Sequence, residues 1–107
     1  MIRAIRPAIV LLVMLMLTAV GAADSSKHKT SVSIKGMAFN PNQVDIKVGD
    51  TVVWTNEDSI GHQLTSSIIN SPLLNKGDKY SQKFTTAGTY DYHCLIHPSM
   101  TGQVIVK

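Results

Sequence analysis

The chain has 107 residues, enough for one small domain with a limited hydrophobic core. The chain contains ten lysine and arginine residues and seven aspartate and glutamate residues. Two of the basic residues, Arg3 and Arg6, lie within the first 23 residues. The nearly neutral remainder has no basic run, which excludes the electrostatic footprint of a nucleic-acid-binding protein. One cysteine cannot form an intramolecular disulfide, so it needs an explanation as a reactive thiol or a metal ligand.

The first 23 residues have the three-part pattern of a secretory signal peptide. Arg3 and Arg6 form a basic start, residues 8–20 are almost wholly apolar, and small residues occupy 21–23. The alternative is an uncleaved membrane anchor, but the apolar run is shorter than the roughly 20 residues that span a bilayer. We therefore predict a signal peptide over 1–23, export of the mature chain, and a location in the periplasm or on the extracytoplasmic face.

The rest of the chain divides into a polar lead-in over 24–30, expected to be flexible, and a domain over 31–107. In the domain, apolar and polar residues alternate in short stretches, as in strands that bury one face. These stretches contain Val32 and Ile34; Val44, Ile46 and Val48; Val52 and Trp54; Tyr80 and Phe84; and Val104 and Val106. Asn, Pro, Gly and Asp residues separate them and are typical of turns. Short strands at this spacing predict an all-β sandwich or barrel.

The segment 66–75 fits this pattern least well. Two apolar pairs, Ile68-Ile69 and Leu73-Leu74, flank Pro72, which interrupts any regular element. We expect an irregular connection that can include a short helical turn and that packs its leucines against the sandwich.

The residues with the most distinctive chemistry lie in the stretch Asp91-Tyr92-His93-Cys94-Leu95-Ile96-His97-Pro98-Ser99-Met100. Side chains alternate along a strand, so Cys94 is predicted to face the interior while His93 faces away and is not counted as a ligand. Pro98 stops the strand from continuing regularly. The turn that follows can bring the thiolate of Cys94, the imidazole of His97 and the thioether of Met100 around one point.

A second histidine, His62, lies in the loop after the strand that contains Trp54. If this strand and the strand before Cys94 run to the same end of the sandwich, His62 meets the C-terminal loop there. Two histidines, one cysteine and a weak axial methionine are the ligands of blue-copper electron-transfer sites. Each residue alone has an ordinary structural explanation, for example a cysteine as a small buried hydrophobe. Their combined spacing favours a metal centre.

The motif Cys94-x-x-His97-x-x-Met100, with 88–93 before it and 102–106 after it, resembles the cupredoxins, and among them the small plastocyanin- and amicyanin-type proteins. The segments 39–41 and 48–54, followed by His62, also match the family's order. The resemblance implies a Greek-key β-sandwich of about seven to eight strands. It also implies one type 1 copper ion, bound by His62, Cys94 and His97 and weakly by Met100.

Two positions depart from the family's usual pattern. Gly61 precedes His62 where the family commonly has proline, and Gln63 follows it where a short side chain is common. In related proteins the residue after this histidine helps to tie the two ligand loops together, so we expect different hydrogen bonds around the ligands here. Such differences tune metal affinity and reduction potential.

The resemblance implies a monomeric, non-enzymatic carrier of single electrons through Cu(II)/Cu(I) cycling. It places the docking surface for redox protein partners at an exposed His97, for which Leu95, Ile96 and Pro98 form a suitable apolar surround. A copper carrier or buffer in the periplasm is the main alternative. Structural zinc is disfavoured because methionine is a poor fourth zinc ligand. A Cys-His hydrolase is disfavoured because it needs an accessible thiolate, whereas Cys94 is predicted to face the interior.

Overall fold

The structure is a computed structural model and describes residues 28–107, so the predicted signal peptide over 1–23 lies outside the described residues. The described part contains eight strands: β1 (Lys29–Ile34), β2 (Phe39–Asn40), β3 (Gln43–Ile46), β4 (Thr51–Asn56), β5 (Leu64–Thr65), β6 (Lys79–Lys83), β7 (Gly88–Cys94) and β8 (Thr101–Val106). They form two four-stranded sheets, in the orders β2-β1-β4-β6 and β3-β8-β7-β5. Within residues 28–107, no helix is long and apolar enough to cross a membrane.

The predicted all-β sandwich is confirmed, because each sheet buries the alternating apolar face of its strands. In β4, Val52 and Trp54 are fully buried, and Val104 and Val106 are buried in the facing sheet. β1 pairs in parallel with β4, and β3 pairs in parallel with β8. Parallel partners require connections that cross between the sheets. Those crossings bring the ends of β4 and β7 to the same end of the sandwich.

Two local predictions differ from the structure. Val48 was expected in the buried row of β3, but β3 ends at Ile46 and Val48 is half exposed. The chain turns here because the Asp50 amide donates to the Lys47 carbonyl at 3.0 Å, and the Asp50 carboxylate accepts from the Lys47 amide at 3.0 Å. β1 also begins at Lys29, two residues before the predicted start of the domain. Backbone pairing with β4 extends the strand without needing an apolar side chain.

The connection between β5 and β6 is irregular, as predicted, and contains no helical turn within 66–75. It folds back on the preceding strand through two isolated antiparallel pairings, Thr65 with Asn70 and His62 with Leu74. Ile69 and Leu74 are buried, whereas their neighbours Ile68 and Leu73 are about half exposed. Only one residue of each apolar pair therefore packs into the core.

An aromatic cluster fills the core beneath the end of β7. The Tyr92 ring contacts Phe39 and Trp54 edge-on, with ring centroids 4.8 and 5.5 Å apart. Trp54 Nε1 donates a hydrogen bond of 3.0 Å to the Tyr92 hydroxyl, so both buried polar atoms are satisfied. Burial raises the pKa of Tyr92 to about 12, although the hydrogen bond from Trp54 opposes this shift. Cys94 follows two residues later on the same face of β7.

Replacing the Tyr92 hydroxyl tests this cluster. Tyr92→Phe leaves Trp54 Nε1 buried without an acceptor and is expected to lower the free energy of unfolding by about 1–3 kcal/mol at pH 7. Because the folded state raises the pKa of Tyr92 above its ordinary value of 10.0, the unfolded chain ionises first, and stability falls as the pH rises from 10 towards 12. Urea unfolding at pH 7 and 11 is therefore expected to show a smaller alkaline loss in the variant. An equal alkaline loss in both proteins would contradict the assignment.

Candidate metal centre

Three side chains meet at the end of the sandwich where β4 and β7 terminate. The donor atoms of His62, Cys94 and His97 all lie within 4.8 Å of one another. Cys94 Sγ is 3.7 Å from Nδ1 of His62 and 3.7 Å from Nδ1 of His97. The two imidazole rings are edge-on, with centroids 5.2 Å apart. Two imidazole nitrogens thus converge on one thiol, although His62 and Cys94 are separated by 32 positions in the chain.

β7 determines the direction of the cysteine. Cys94 is its last residue, is fully buried, and pairs with Leu64 of β5. His93, one residue earlier, pairs with Thr65 and lies on the opposite face of the sheet, outside the donor cluster. The alternation of side chains along β7 therefore selects the cysteine for the site.

The loop between β7 and β8 places His97 and Met100 beside the cysteine. The Cys94 amide donates to the Met100 carbonyl at 3.0 Å, and the Met100 amide donates to the His97 carbonyl at 2.9 Å. Met100 is buried and His97 is partly exposed. This closed turn brings all three predicted ligands of the C-terminal motif to one place, with His97 as the one nearest solvent.

His62 is held by the backbone on both sides. Its amide donates to the Leu74 carbonyl at 3.0 Å, and the Leu74 amide donates back to the His62 carbonyl at 2.7 Å. The Leu95 amide donates to the Gln63 carbonyl at 2.7 Å, which ties the His62 loop directly to the Cys94 loop. Because this tie uses the main chain of Gln63, it does not depend on the length of the side chain at that position.

The other nitrogen of His62 contacts Asp58, a residue of the loop that follows β4 and one that the sequence patterns did not single out. His62 Nε2 lies 2.9 Å from Asp58 Oδ2. The same carboxylate accepts hydrogen bonds from the amides of Gly36 at 2.8 Å and Met37 at 3.0 Å. Both of those residues have positive φ angles, 63° and 60°, so their amides point to the same side and cradle the anion.

The hydrogen bonds to the Asp58 carboxylate favour its ionised form and determine which ring nitrogen of His62 faces it. Burial alone would raise the pKa of Asp58, but hydrogen bonds from the Met37 amide, the His62 ring and the Gly36 amide together lower it below its ordinary value of 3.8. An ionised carboxylate only accepts hydrogen bonds, so Nε2 of His62 carries the hydrogen. The opposite ring nitrogen, Nδ1, lies 3.7 Å from Cys94 Sγ and is the nitrogen available to a metal. A carboxylate four residues before a candidate ligand histidine was the available sequence signal.

Removing the negative charge of Asp58 is expected to weaken metal binding. Asp58→Asn keeps the size of the side chain but replaces the anionic acceptor of His62 Nε2, and changes to partners of ligand histidines typically cost 10–100-fold in metal affinity. Competition with a copper chelator measures this change. Asp45→Asn, on an exposed residue of β3, is the matched control. Equal affinities of the two variants would contradict an orienting role for Asp58.

Because of the lowered pKa of Asp58, we expect the free energy of unfolding of the metal-free protein to depend on pH in the acid range. Because folding lowers the pKa of Asp58, its contribution to stability is present above pH 3.8 and is lost as the pH falls through the lower folded value. The free energy of unfolding of Asp58→Asn is therefore expected to change less between pH 5 and 3 than that of the wild type. Equal acid responses in urea titrations would contradict this linkage.

The donor set fits one copper ion in a type 1 site. A thiolate and two imidazoles supply three strong soft or intermediate donors, and a buried thioether lies in the same closed turn. This combination suits copper cycling between its two oxidation states. Structural zinc prefers four strong donors.

Known proteins provide an independent comparison. The family model for the cupredoxin-like domain matches residues 7–106. Amicyanin of Paracoccus denitrificans is 38% identical over 93 residues, covering 80% of this chain and 71% of the relative. The chloroplastic plastocyanin of Tetradesmus obliquus is 32% identical over 101 residues, covering 80% and 70%. The crystal structure of amicyanin from Paracoccus versutus superposes with a TM-score of 0.69 at 34% identity, covering 74% and 81% of the two chains. The chain belongs to the cupredoxin family.

Proposed function

We propose that this protein is a small exported blue copper protein that carries single electrons between redox partners. His62, Cys94 and His97 would hold the copper ion, with Met100 as a weaker fourth ligand. The observation that carries the proposal is the convergence of the three donor atoms within 4.8 Å at one end of a cupredoxin sandwich. When bound, the copper supplies a one-electron Cu(II)/Cu(I) couple.

The chain's own contribution is to keep the donors in place in both oxidation states. Cys94 and His62 are fully buried, and each is anchored by backbone hydrogen bonds to a neighbouring segment. The bond from Leu95 to Gln63 keeps the two ligand loops at a constant separation. A site whose ligands barely move needs little reorganisation when an electron arrives, which favours rapid transfer.

The partner surface is proposed at the partly exposed His97. Leu95 and Ile96 are both about half exposed, and Pro98 is exposed beside them. These residues form an apolar surround at the point where the metal centre is nearest to solvent. Since residues 24–107 are nearly neutral, docking of redox proteins is expected to depend on apolar contact more than on charge steering. We propose that the mature chain is a monomer.

Copper carriage or buffering without electron transfer is the alternative. A protein that delivers copper must release it through ligands that its acceptor can reach. Here His62, Cys94 and Met100 are buried, and only His97 is partly exposed. This burial supports electron transfer over metal delivery. It also speaks against hydrolysis by a Cys-His pair, which needs an accessible thiolate.

Electron self-exchange separates the two functions. The copper-loaded protein is mixed in its Cu(I) and Cu(II) forms, and the exchange rate is read from NMR line widths of residues near the site. An electron carrier is expected to exchange electrons much faster than it passes copper to metal-free copies of itself. The reverse order of rates would favour carriage or buffering.

Expression of residues 1–107 in a bacterium, followed by mass spectrometry of the periplasmic fraction, tests export and cleavage near residue 23.

A further inference from the structure

The segment 71–74 lies along the strand that leads from His62 into β5. Ser71 and Leu64 exchange hydrogen bonds: the Ser71 amide donates to the Leu64 carbonyl at 3.0 Å, and the Leu64 amide donates to Ser71 Oγ at 2.9 Å. His62 and Leu74 pair in both directions at 3.0 and 2.7 Å. The position of the His62 backbone therefore depends on the position of this irregular segment.

One side chain of the segment reaches over the residue before the histidine. A Cβ atom built on Gly61 would lie 3.0 Å from Cδ1 and 3.4 Å from Cγ of Leu73, so the leucine occupies the space next to this glycine. Gly61 does not have a positive φ angle. The close approach of Leu73, rather than backbone conformation, is the reason that a glycine suits this position.

Leu73 is half exposed, whereas its neighbour Leu74 is buried in the core. The Cδ1 and Cγ atoms of Leu73 are among the atoms nearest to the Cβ position of Gly61. Leu73 and Gly61 each lie one residue before the members of the backbone pair formed by Leu74 and His62, so their contact is next to that pair.

We propose that Leu73 is a positioning residue for the metal centre, which holds His62 in its binding orientation by packing on Gly61. The inference rests on His62 being a metal ligand, as in the proposed function. Leu73 is not one of the donor residues. It acts through the glycine and through the backbone pairing of His62 with Leu74.

The first test uses the metal-free protein, so that it does not depend on electron transfer. Leu73→Ala is expected to speed hydrogen exchange of the His62 amide about fivefold, as expected for losing a half-buried leucine contact. Amides of β4 and β7 report global unfolding and correct for any general loss of stability. Ile68→Ala is the matched control, because Ile68 is 44% exposed against 48% for Leu73 and lies in the same connection, while the atoms nearest to the Cβ position of Gly61 belong to Leu73 and Asn75.

The second test uses the coupling between the two residues. Gly61→Ala displaces the leucine by its methyl group and is expected to speed exchange of the His62 amide as Leu73→Ala does. The double variant is expected to show no further increase, because the contact is already lost. Leu73→Met, which can still cover the glycine, is expected to restore slow exchange.

The metal-loaded protein gives the functional readout. Leu73→Ala is expected to shift the reduction potential and lower copper affinity, whereas Ile68→Ala changes neither. Equal His62 exchange in Leu73→Ala and Ile68→Ala, or additive effects of the Gly61 and Leu73 substitutions, would overturn the proposal. Faster exchange without any change in potential or affinity would also overturn it, since Leu73 would then stabilise the loop without positioning a ligand. Slow electron self-exchange in the wild type would instead contradict the proposed function.

Discussion

Cys94→Ser is expected to abolish the intense visible absorption of the copper-loaded protein. The absorption of a type 1 site arises from charge transfer between a cysteine thiolate and Cu(II), and the structure describes one cysteine, Cys94, at the centre of the donor cluster. Serine has nearly the same size, but its hydroxyl is a hard and poorly acidic donor. A titration of residues 24–107 with Cu(II), followed by visible spectroscopy, measures the loss.

His93→Ala is the matched control for this substitution. His93 is adjacent in sequence but lies on the opposite face of β7, so the band is expected to keep its intensity. A visible band that survived in Cys94→Ser would contradict the ligand assignment. A colourless wild-type protein that bound zinc as tightly as copper would show that the fold holds a metal but not a type 1 copper site.

Gly102→Ala is expected to be the most destabilising small substitution in the sandwich. Gly102 of β8 lies directly opposite Tyr92 of β7. An added Cβ would lie 2.3 Å from Cζ and 2.4 Å from the hydroxyl oxygen of Tyr92, far inside van der Waals contact. The ring cannot move aside freely, because it is packed on Phe39 and Trp54 and accepts the hydrogen bond from Trp54. Overpacking of this kind costs about 1–3 kcal/mol or more.

Urea unfolding of the metal-free protein measures this cost and separates it from any effect on metal binding. The same substitution in a Tyr92→Leu background is the control, since the shorter side chain leaves room for the methyl group. The added cost of Gly102→Ala is expected to be much smaller there, which is the sign of a direct contact. Equal costs in the two backgrounds would show that the tyrosine ring is not the cause.

Local patterns along the chain predicted most of the architecture. Alternation in β4 placed Val52 and Trp54 inside, and alternation in β7 separated Cys94 from His93, because side-chain direction in a strand depends only on position. The prediction that Val48 is buried was wrong. Its alternation continues past Ile46, but the carboxylate of Asp50 closes a turn there and ends the strand.

The contacts that orient the ligands were beyond the reach of those patterns. The carboxylate of Asp58 joins His62 to the amides of Gly36 and Met37, more than 20 positions away in the chain. The packing of Leu73 on Gly61 likewise depends on how an irregular segment folds back. Neither segment has a periodic pattern from which its path can be predicted.

By itself, the sequence determined the all-β class and the donor types of the C-terminal motif, because strand periodicity and the turn at Pro98 are local properties. The sequence identified His62 as a candidate ligand only from its position in the chain. Only the tertiary structure decided that this histidine faces Cys94 at 3.7 Å, with Nε2 occupied by Asp58 and its backbone paired with Leu74. Those contacts join residues distant in sequence, and they form only when the two sheets pack and bring the ends of β4 and β7 together.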